Sequence, residues 1–228
     1  MAANQPEAQH GCFLPTPDAT IANCNTMIGS AGSAMNPSRF YADRATAYML
    51  KGLNDQALLD YTKAIDLEPT NAAAYLDRGI LYKQMKLYDM SIADETKAIS
   101  LEPNSSQGYT DRGDTYDSQG LFNQAIADET KAIELRPDDA VPHYDRGRSY
   151  VLTGRYDNAI ADFTTAIRLK PSDPTYYYNR GIAYQHKMLN ENAIADYRKA
   201  LKINPGYQNA AHALQILSLV ESDCHCLK

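Results

Sequence analysis

The 228-residue sequence has no tryptophan, four phenylalanines, four cysteines and five histidines. It contains no glycine-rich phosphate-binding loop, no helical pair of histidines around a glutamate, no nucleophile elbow and no paired Cys-x-x-Cys. No run alternates between apolar and polar residues as a half-buried strand does, and no run is apolar enough to span a bilayer. We therefore predict a protein that is not an enzyme, uses no cofactor or metal, and does not insert into a membrane.

The charge balance is acidic. The sequence has 22 Lys and Arg against 28 Asp and Glu, which gives a net charge of −6 at pH 7 and a pI near 5.3. An acidic chain is repelled by the phosphates of nucleic acids and by anionic lipids. We therefore predict no nucleic-acid partner.

What the sequence does contain is a repeat of 34 residues. A proline recurs at this interval, together with a tyrosine and three small residues. If the proline is counted as position 32, the small residues stand at positions 8, 20 and 27 and the tyrosine at position 11. Five complete repeats follow one another: 38–71, 72–105, 106–139, 140–173 and 174–207.

Each repeat is predicted to form two helices. In the fourth repeat, Ala159, Ile160, Phe163, Ala166 and Ile167 recur at helical spacing. The proline follows the second helix, which it cannot continue. Helices of about 13 residues are marginal in isolation, so the repeats must stabilise one another by stacking. Small residues at positions 8 and 20 would let the two helices approach closely.

This pattern resembles the tetratricopeptide repeat, in which an aromatic residue, Leu-Gly, Tyr, Ala, a second aromatic residue and Pro recur over 34 residues. The resemblance covers 38–207 and implies an all-α fold, a right-handed α-α superhelix (solenoid) with a concave groove. The sequence departs from the pattern in two ways. Arg replaces the Leu before the glycine, and Glu95 and Glu129 occupy position 24, where an aromatic residue is usual.

The two ends of the chain are predicted to differ from the repeats. Residues 1–37 would comprise an N-terminal tail, a half repeat at 16–28 and a flexible linker, with Thr16 as the helix N-cap. Residues 208–228 would comprise a capping helix and a disordered tail that carries two cysteines. The tail sequence Cys224-His225-Cys226 offers too few ligands, too closely spaced, to predict a metal site.

The other two cysteines, Cys12 and Cys24, bracket the half repeat. A disulfide between them would tie the first stretch of chain onto its helix, and the alternative is two reduced thiols. Two cysteines ahead of repeats that carry Asp-Arg-Gly are similar to those of secreted repeat proteins of Gram-negative bacteria. That resemblance implies a periplasmic or secreted protein whose signal peptide has been removed. The alternative is a cytoplasmic protein with free thiols.

A charged pair recurs in every repeat and is predicted to be structural. Position 7 is always Arg and position 23 always Asp. A feature present in every repeat serves what every repeat does, which is to stack. We therefore expect each arginine to pair with an aspartate across the two helices of its repeat. Five arginines that bind an anionic peptide are the alternative.

Function is predicted where the repeats differ on the concave face. The centre of this face is acidic and its later part carries tyrosines, which suits an extended segment with Lys or Arg and aromatic or apolar anchors. A merely solvated acidic face is the alternative. The carboxylate clamp, by which some family members hold acidic C-termini of chaperones, is absent. The candidate peptide-binding residues are Asp77, Asp111, Asp114, Asp117, Tyr144, Arg148, Tyr178 and Asn179.

Three hypotheses for the function follow. The leading one is a non-catalytic scaffold that binds an extended segment of a protein or peptide. The alternative is a homo-oligomer in which the cap or the half repeat of one copy packs into the groove of another. An enzyme or metal carrier that uses the C-terminal cysteines is the third.

Overall fold

A computed structural model describes residues 11–31 and 36–225, with side chains in the last helix as far as residue 217. Within these residues every regular element is an α-helix. The twelve helices are α1 Pro17–Ser30, α2 Ser38–Leu50, α3 Asn54–Leu67, α4 Ala72–Gln84, α5 Tyr88–Leu101, α6 Ser106–Gln119, α7 Phe122–Leu135, α8 Ala140–Leu152, α9 Tyr156–Leu169, α10 Pro174–His186, α11 Asn190–Ile203 and α12 Gln208–His225. None of the helices in the described part is long and apolar enough to cross a membrane.

The chain forms two compact halves, one ending at Thr115 and one beginning at Tyr116. In each half the closest packing joins the two helices of one repeat. The N-terminal half pairs α2 with α3 and α4 with α5, and the C-terminal half pairs α8 with α9 and α10 with α11. Second helices also pack on the first helix of the next repeat, as α3 does on α4 and α9 on α10. The predicted all-α fold of stacked helix pairs is confirmed.

The residue at position 34 of a repeat lies just before the first helix of the next repeat and can act as its N-cap. Asn71, Asp139 and Asp173 accept hydrogen bonds there from backbone N–H groups of the first turn at 3.2, 3.0 and 3.1 Å. Thr16 caps α1 in the same way, with its Oγ1 accepting from the Ala19 N–H at 3.3 Å, as predicted. These caps satisfy donors that the helix itself leaves unpaired.

The small residue at position 8 is required by a bulky side chain on the second helix. A Cβ at Gly147 would lie 2.6 Å from the ring of Phe163, and one at Gly181 would lie 2.5 Å from the ring of Tyr197. Both rings are fully buried. The predicted close approach of the two helices is therefore confirmed, and it is set by glycine meeting an aromatic ring.

The recurrent arginines pair with the recurrent aspartates, as predicted. Arg78 donates from Nε and Nη2 to the two carboxylate oxygens of Asp94, at 2.7 and 2.9 Å. Equivalent bidentate pairs are Arg44 with Asp60, Arg146 with Asp162 and Arg180 with Asp196. Arg and Asp side chains in these pairs are largely buried, 15% and 10% exposed for Arg78 and Asp94. Two parallel hydrogen bonds fix the angle between the helices as well as their distance.

Each arginine also reaches the preceding repeat. The Nη1 of Arg78 donates to Thr62 at 3.1 Å, and that of Arg146 donates to Thr130 at 3.0 Å. The guanidinium of Arg78 lies between the rings of Tyr75 and Tyr82, within 6 Å of both. One side chain therefore links three helices, and the tyrosines at positions 4 and 11 cover it on both sides.

The half repeat is joined to the first complete repeat by the same kind of arginine hydrogen bond. Arg44 donates to Asn25 at 2.5 Å, so Asn25 on α1 takes the place that threonine has in the complete repeats. Cys12 and Cys24 are joined by a disulfide with a Cα–Cα distance of 5.0 Å, and both are fully buried. The predicted bond is therefore compatible with the fold.

The structure tests part of what was predicted for the two ends of the chain. Gly29 and Ser30, expected in the linker, belong to α1, while residues 32–35 lie outside the described residues. Helix α12 continues to His225, so residues 221–225 of the expected disordered tail are helical. Residues 1–10 and 226–228 lie outside the described part, and so do the side chains of Cys224 and His225.

We expect Arg78→Ala to lower the free energy of unfolding by about 2–3 kcal/mol, because Asp94 is left largely buried without its partner. Arg78→Lys should lose about half as much, because an ammonium cannot bridge both carboxylate oxygens and Thr62 at once. The measurement is urea denaturation followed by circular dichroism. The control is Lys131→Ala, which breaks an exposed pair with Glu134 and should change stability by less than about 0.5 kcal/mol. Equal effects at Arg78 and Lys131 would contradict the structural role.

A second prediction concerns the turn between the two helices. Position 15 has a positive φ in every repeat; it is Gly52, Gly120 and Gly154 in three repeats, but Lys86 (φ 61°) and Met188 (φ 60°) in the other two. Because a side chain is strained there, Met188→Gly should stabilise the protein by about 1 kcal/mol. Gly154→Ala, the reverse change at the same position, should destabilise it by a similar amount. A lower thermal midpoint for Met188→Gly would show that the exposed methionine makes a compensating contact.

Candidate functional site

All eight candidate peptide-binding residues lie on first helices and are half-buried, so each has a surface that a ligand can reach. They are divided between the two compact halves. Asp77, Asp111 and Asp114 belong to the N-terminal half; Asp117, Tyr144, Arg148, Tyr178 and Asn179 belong to the C-terminal half.

Two of the three aspartates of the third repeat are paired with cations of neighbouring repeats. Lys83 forms an ion pair with Asp114 in the N-terminal half. In the C-terminal half, Asp117 accepts from Arg148 at 3.1 Å and from the Ser149 hydroxyl at 3.1 Å. The acidic centre predicted from the sequence is therefore partly neutralised by the protein itself.

On the first helices of the N-terminal half the other acidic residues are three carboxylates, which we call the acidic face: Asp43, Asp77 and Asp111, all at position 6 of successive repeats. Asp43 accepts from the Cys12 backbone N–H at 2.7 Å, and Asp111 accepts from the Gln107 amide at 2.8 Å. Among the described residues Asp77 has no hydrogen-bond or ion-pair partner. Asp77 is therefore the open position of the row.

Burial and mutual repulsion both disfavour ionisation on the acidic face. Burial, with the charges of Asp111 and Asp43 as smaller causes, raises the pKa of Asp77 to about 6. Burial also raises the pKa of Asp111 and of Asp43, although hydrogen bonds oppose the rise in both. A cation beside Asp77 would oppose this rise in pKa, because a positive charge stabilises the ionised carboxylate.

A fourth acid, Glu95, lies fully buried beneath the first helices. Its Oε1 accepts from Ser91 at 2.9 Å and from Thr115 at 2.7 Å, while its Oε2 has no hydrogen-bond partner. Burial raises the pKa of Glu95 to about 7. Glu95 takes the place that Phe163 and Tyr197 have in the fourth and fifth repeats, and the hydroxyls of Ser91 and Thr115 supply hydrogen bonds that a ring would not need.

The C-terminal half presents aromatic side chains instead, which we call the tyrosine face: Tyr144, Tyr178 and Tyr207. Tyr144 packs on Tyr176 with ring centroids 4.9 Å apart, and its hydroxyl accepts from the Asn179 amide at 3.3 Å. Tyr178 packs edge-on against Tyr207 at 5.4 Å. Arg148 lies over the Tyr144 ring and remains 37% exposed while it holds Asp117.

The ion pairs between repeats were missed by reading the sequence, although a signal for them exists. Position 12 of one repeat meets position 9 of the next, 31 residues later: Lys83 meets Asp114, and Asp117 meets Arg148. Opposite charges at a spacing of 31 could have shown this. Such a pair of opposite charges can be recognised in the sequence only once the stacking register of the first helices is known.

Comparison with known families now adds to the geometry. Family models described as TPR repeat match residues 45–86 and 147–187, and models described as tetratricopeptide repeat match 72–105, 106–139 and 174–207. The chain belongs to the tetratricopeptide repeat family. Proteins built from tetratricopeptide repeats are generally non-catalytic interaction scaffolds, and the fold of this chain supports the same general role.

Solved tetratricopeptide repeat structures share the fold. MamA is 27% identical, with 71% of this chain and 94% of that chain covered and a TM-score of 0.65. YrrB, described as a TPR protein with an unusual peptide-binding site, is 24% identical, with 78% and 92% covered and a TM-score of 0.64. MamA from Desulfovibrio magneticus RS-1 is 17% identical, with 75% and 96% covered and a TM-score of 0.68. A search of curated protein sequences finds no match to this chain.

The acidic face generates a prediction about stability and pH. Because the pKa of Asp77 is raised in the folded state, its contribution to stability is present below about pH 4 and is lost as the pH rises through about 6. Asp77→Asn should therefore be about 1–2 kcal/mol more stable than the wild type at pH 8 and no more stable at pH 4. The measurement is a series of urea denaturations between these values.

Asp94→Asn is the matched control for Asp77→Asn, since it removes a charge that Arg78 does pair. That variant should be less stable than the wild type at pH 8. If Asp77→Asn were also destabilised at pH 8, the carboxylate of Asp77 would have a partner within the protein.

Proposed function

We propose that this protein is a non-catalytic scaffold that binds an extended protein or peptide segment along its first helices, with basic and aromatic side chains of the partner as the chief contacts. The observation that carries the proposal is the half-buried carboxylate of Asp77, which is unpaired among the described residues, while recurrent arginines and aspartates form bidentate pairs in repeats one, two, four and five. A protein that keeps such a charge at a cost in stability has a use for it.

The N-terminal half supports the basic part of the proposal. Asp77 and Asp111 interact electrostatically and both resist ionisation. A lysine or arginine of a partner would be attracted to both carboxylates and would restore the charged form of each. Asp114 would contribute less, because Lys83 already neutralises it.

The C-terminal half supports the aromatic part. Tyr144 and Tyr178 expose part of each ring while their neighbours hold them in place, so little conformational entropy is lost when a partner packs on them. Asn179 offers a side-chain amide beside Tyr144. Asp117 already pairs with Arg148, so a cation of the partner would have to compete with that arginine. A cation that binds Asp77 has no such competitor.

A periplasmic or secreted location is part of the same proposal, and the cytoplasm is the alternative. It is motivated by the Cys12–Cys24 bond, because a disulfide persists most readily in an oxidising compartment.

The test is fluorescence anisotropy with a labelled (Lys-Tyr-Ser)4 peptide and an acidic counterpart, (Glu-Tyr-Ser)4. The basic peptide should bind and the acidic one should not, and added salt should weaken the binding. Asp77→Asn and Asp111→Asn should each reduce affinity by about 5- to 10-fold, which corresponds to about 1 kcal/mol. Asp114→Asn and Asp117→Asn should have smaller effects, because each of these charges already has a cation.

The control is Asp66→Asn, which removes an exposed charge from the second helix of the first repeat. It should leave the affinity unchanged. Unaltered binding by a variant with asparagine at 77, 111, 114 and 117 would remove these residues from the site. Light scattering over a range of concentrations tests the self-assembly alternative, which requires the particle mass to rise with concentration in the absence of peptide.

A further inference from the structure

Residues 11–14 run along the N-terminal half without forming a helix, and they contact both α1 and α2. The Cys12 carbonyl accepts from the Asn23 amide at 3.0 Å, and Leu14 exchanges hydrogen bonds with the Thr20 hydroxyl at 2.9 and 3.0 Å. Those contacts join the segment to α1. The half repeat has no first helix among the described residues, and this segment packs beside α2 in its stead.

The contact with α2 is made at the acidic face. The Cys12 N–H donates to Asp43 at 2.7 Å. Gly11 passes so close that a Cβ there would lie 2.0 Å from the Asp43 carboxylate and 2.8 Å from the Arg39 guanidinium. A side chain at this position would have to displace the Asp43 carboxylate or the Arg39 guanidinium, so glycine lets the segment lie directly against Asp43.

The disulfide holds this arrangement. Cys24 lies on α1, and its bond to Cys12 adds a covalent link to the segment directly beside the amide that binds Asp43. The other links named above are hydrogen bonds from the side chains of Asn23 and Thr20. Cys12 and Cys24 also pack with Phe40 of α2, so the sulfurs lie in the small core that joins α1 to α2.

We propose that residues 11–14 are a plug for the first-repeat end of the acidic face, and that the Cys12–Cys24 disulfide is the latch that keeps the plug on Asp43. A dithiol that reduces the latch gives up two electrons and two protons and leaves as a cyclic disulfide, while Cys12 and Cys24 become thiols. Residues 11–14 then leave Asp43. Asp43 of the first repeat thereby becomes a second open carboxylate next to Asp77.

The consequence for partner binding rests on the proposed function. While the disulfide latch is intact, Asp77 is the open carboxylate nearest the N-terminal end of the acidic face. The bound partner segment therefore ends at Asp77. With the latch open, Asp43 can take an additional cationic side chain. Asp43 stays half-buried beside the plug, and it interacts electrostatically with Arg39 on its own helix and with Asp77 of the next repeat.

The latch is tested first without any partner. Hydrogen–deuterium exchange of a peptide that covers residues 11–14 is compared in the oxidised protein, in the protein reduced by dithiothreitol and in the Cys12→Ser, Cys24→Ser variant, with mass spectrometry confirming the redox state. Exchange of this segment should rise on the order of 100-fold when the bond is absent, while α9 stays unchanged as an internal control. Unaltered exchange would overturn the latch.

A second variant tests the plug with the disulfide intact. Gly11→Ala should accelerate exchange of the segment, because its methyl group would push the Asp43 carboxylate away from the Cys12 N–H that it accepts from. Gly29→Ala is the matched control, since a Cβ there meets nothing within 4 Å. Equal exchange in these two variants would show that the segment does not depend on its fit against Asp43.

The link to binding is tested with the (Lys-Tyr-Ser)4 peptide. Reduction should increase affinity by about 5-fold, the effect of one additional partly exposed charge pair, and Asp43→Asn should abolish this increase. An increase that persists in Asp43→Asn would overturn the assignment of Asp43. If the peptide binds neither redox state while exchange still responds to reduction, the proposed function fails and the latch stands.

Discussion

The structure depends on one side chain used repeatedly, the arginine at position 7. It holds the aspartate of its own second helix through two hydrogen bonds, donates a third to the preceding repeat, and lies between two tyrosine rings, as Arg78 does with Asp94, Thr62, Tyr75 and Tyr82. Because the guanidinium is planar and its donors are fixed, these contacts set distance and angle together. The tyrosines keep water from the pair and so strengthen it.

This arrangement argues against the recurrent arginines and their paired aspartates as the proposed binding site. A ligand that took an arginine would have to break a largely buried bidentate pair, and an uncompensated buried charge costs several kcal/mol. A partner that binds Asp77, as proposed above, would break no ion pair of the fold. The charges that stabilise the fold and the carboxylate proposed for a partner therefore differ in what a ligand must displace.

The replacement of an aromatic residue by Glu95 shows how one departure from the repeat changes its neighbours. The Glu95 carboxylate accepts hydrogen bonds from Ser91 and Thr115, and at the position of Ser91 the other four repeats have alanine. The same burial that raises the pKa of Glu95 makes the N-terminal half sensitive to proton concentration. In the fourth and fifth repeats the aromatic rings of Phe163 and Tyr197 stand at this position and pack against Gly147 and Gly181 instead.

Much of the fold was determined by the sequence by itself. The 34-residue period, the paired helices, the cap at Thr16 and the pairing of arginine with aspartate all rest on local spacing, which the chain carries wherever it folds. The candidate site was different. That Lys83 and Arg148 neutralise Asp114 and Asp117, that Asp77 stays open, and that the Cys12 amide covers Asp43 were decided only by the tertiary structure. These contacts join residues about 31 apart, and the register in which neighbouring helices stack selects them.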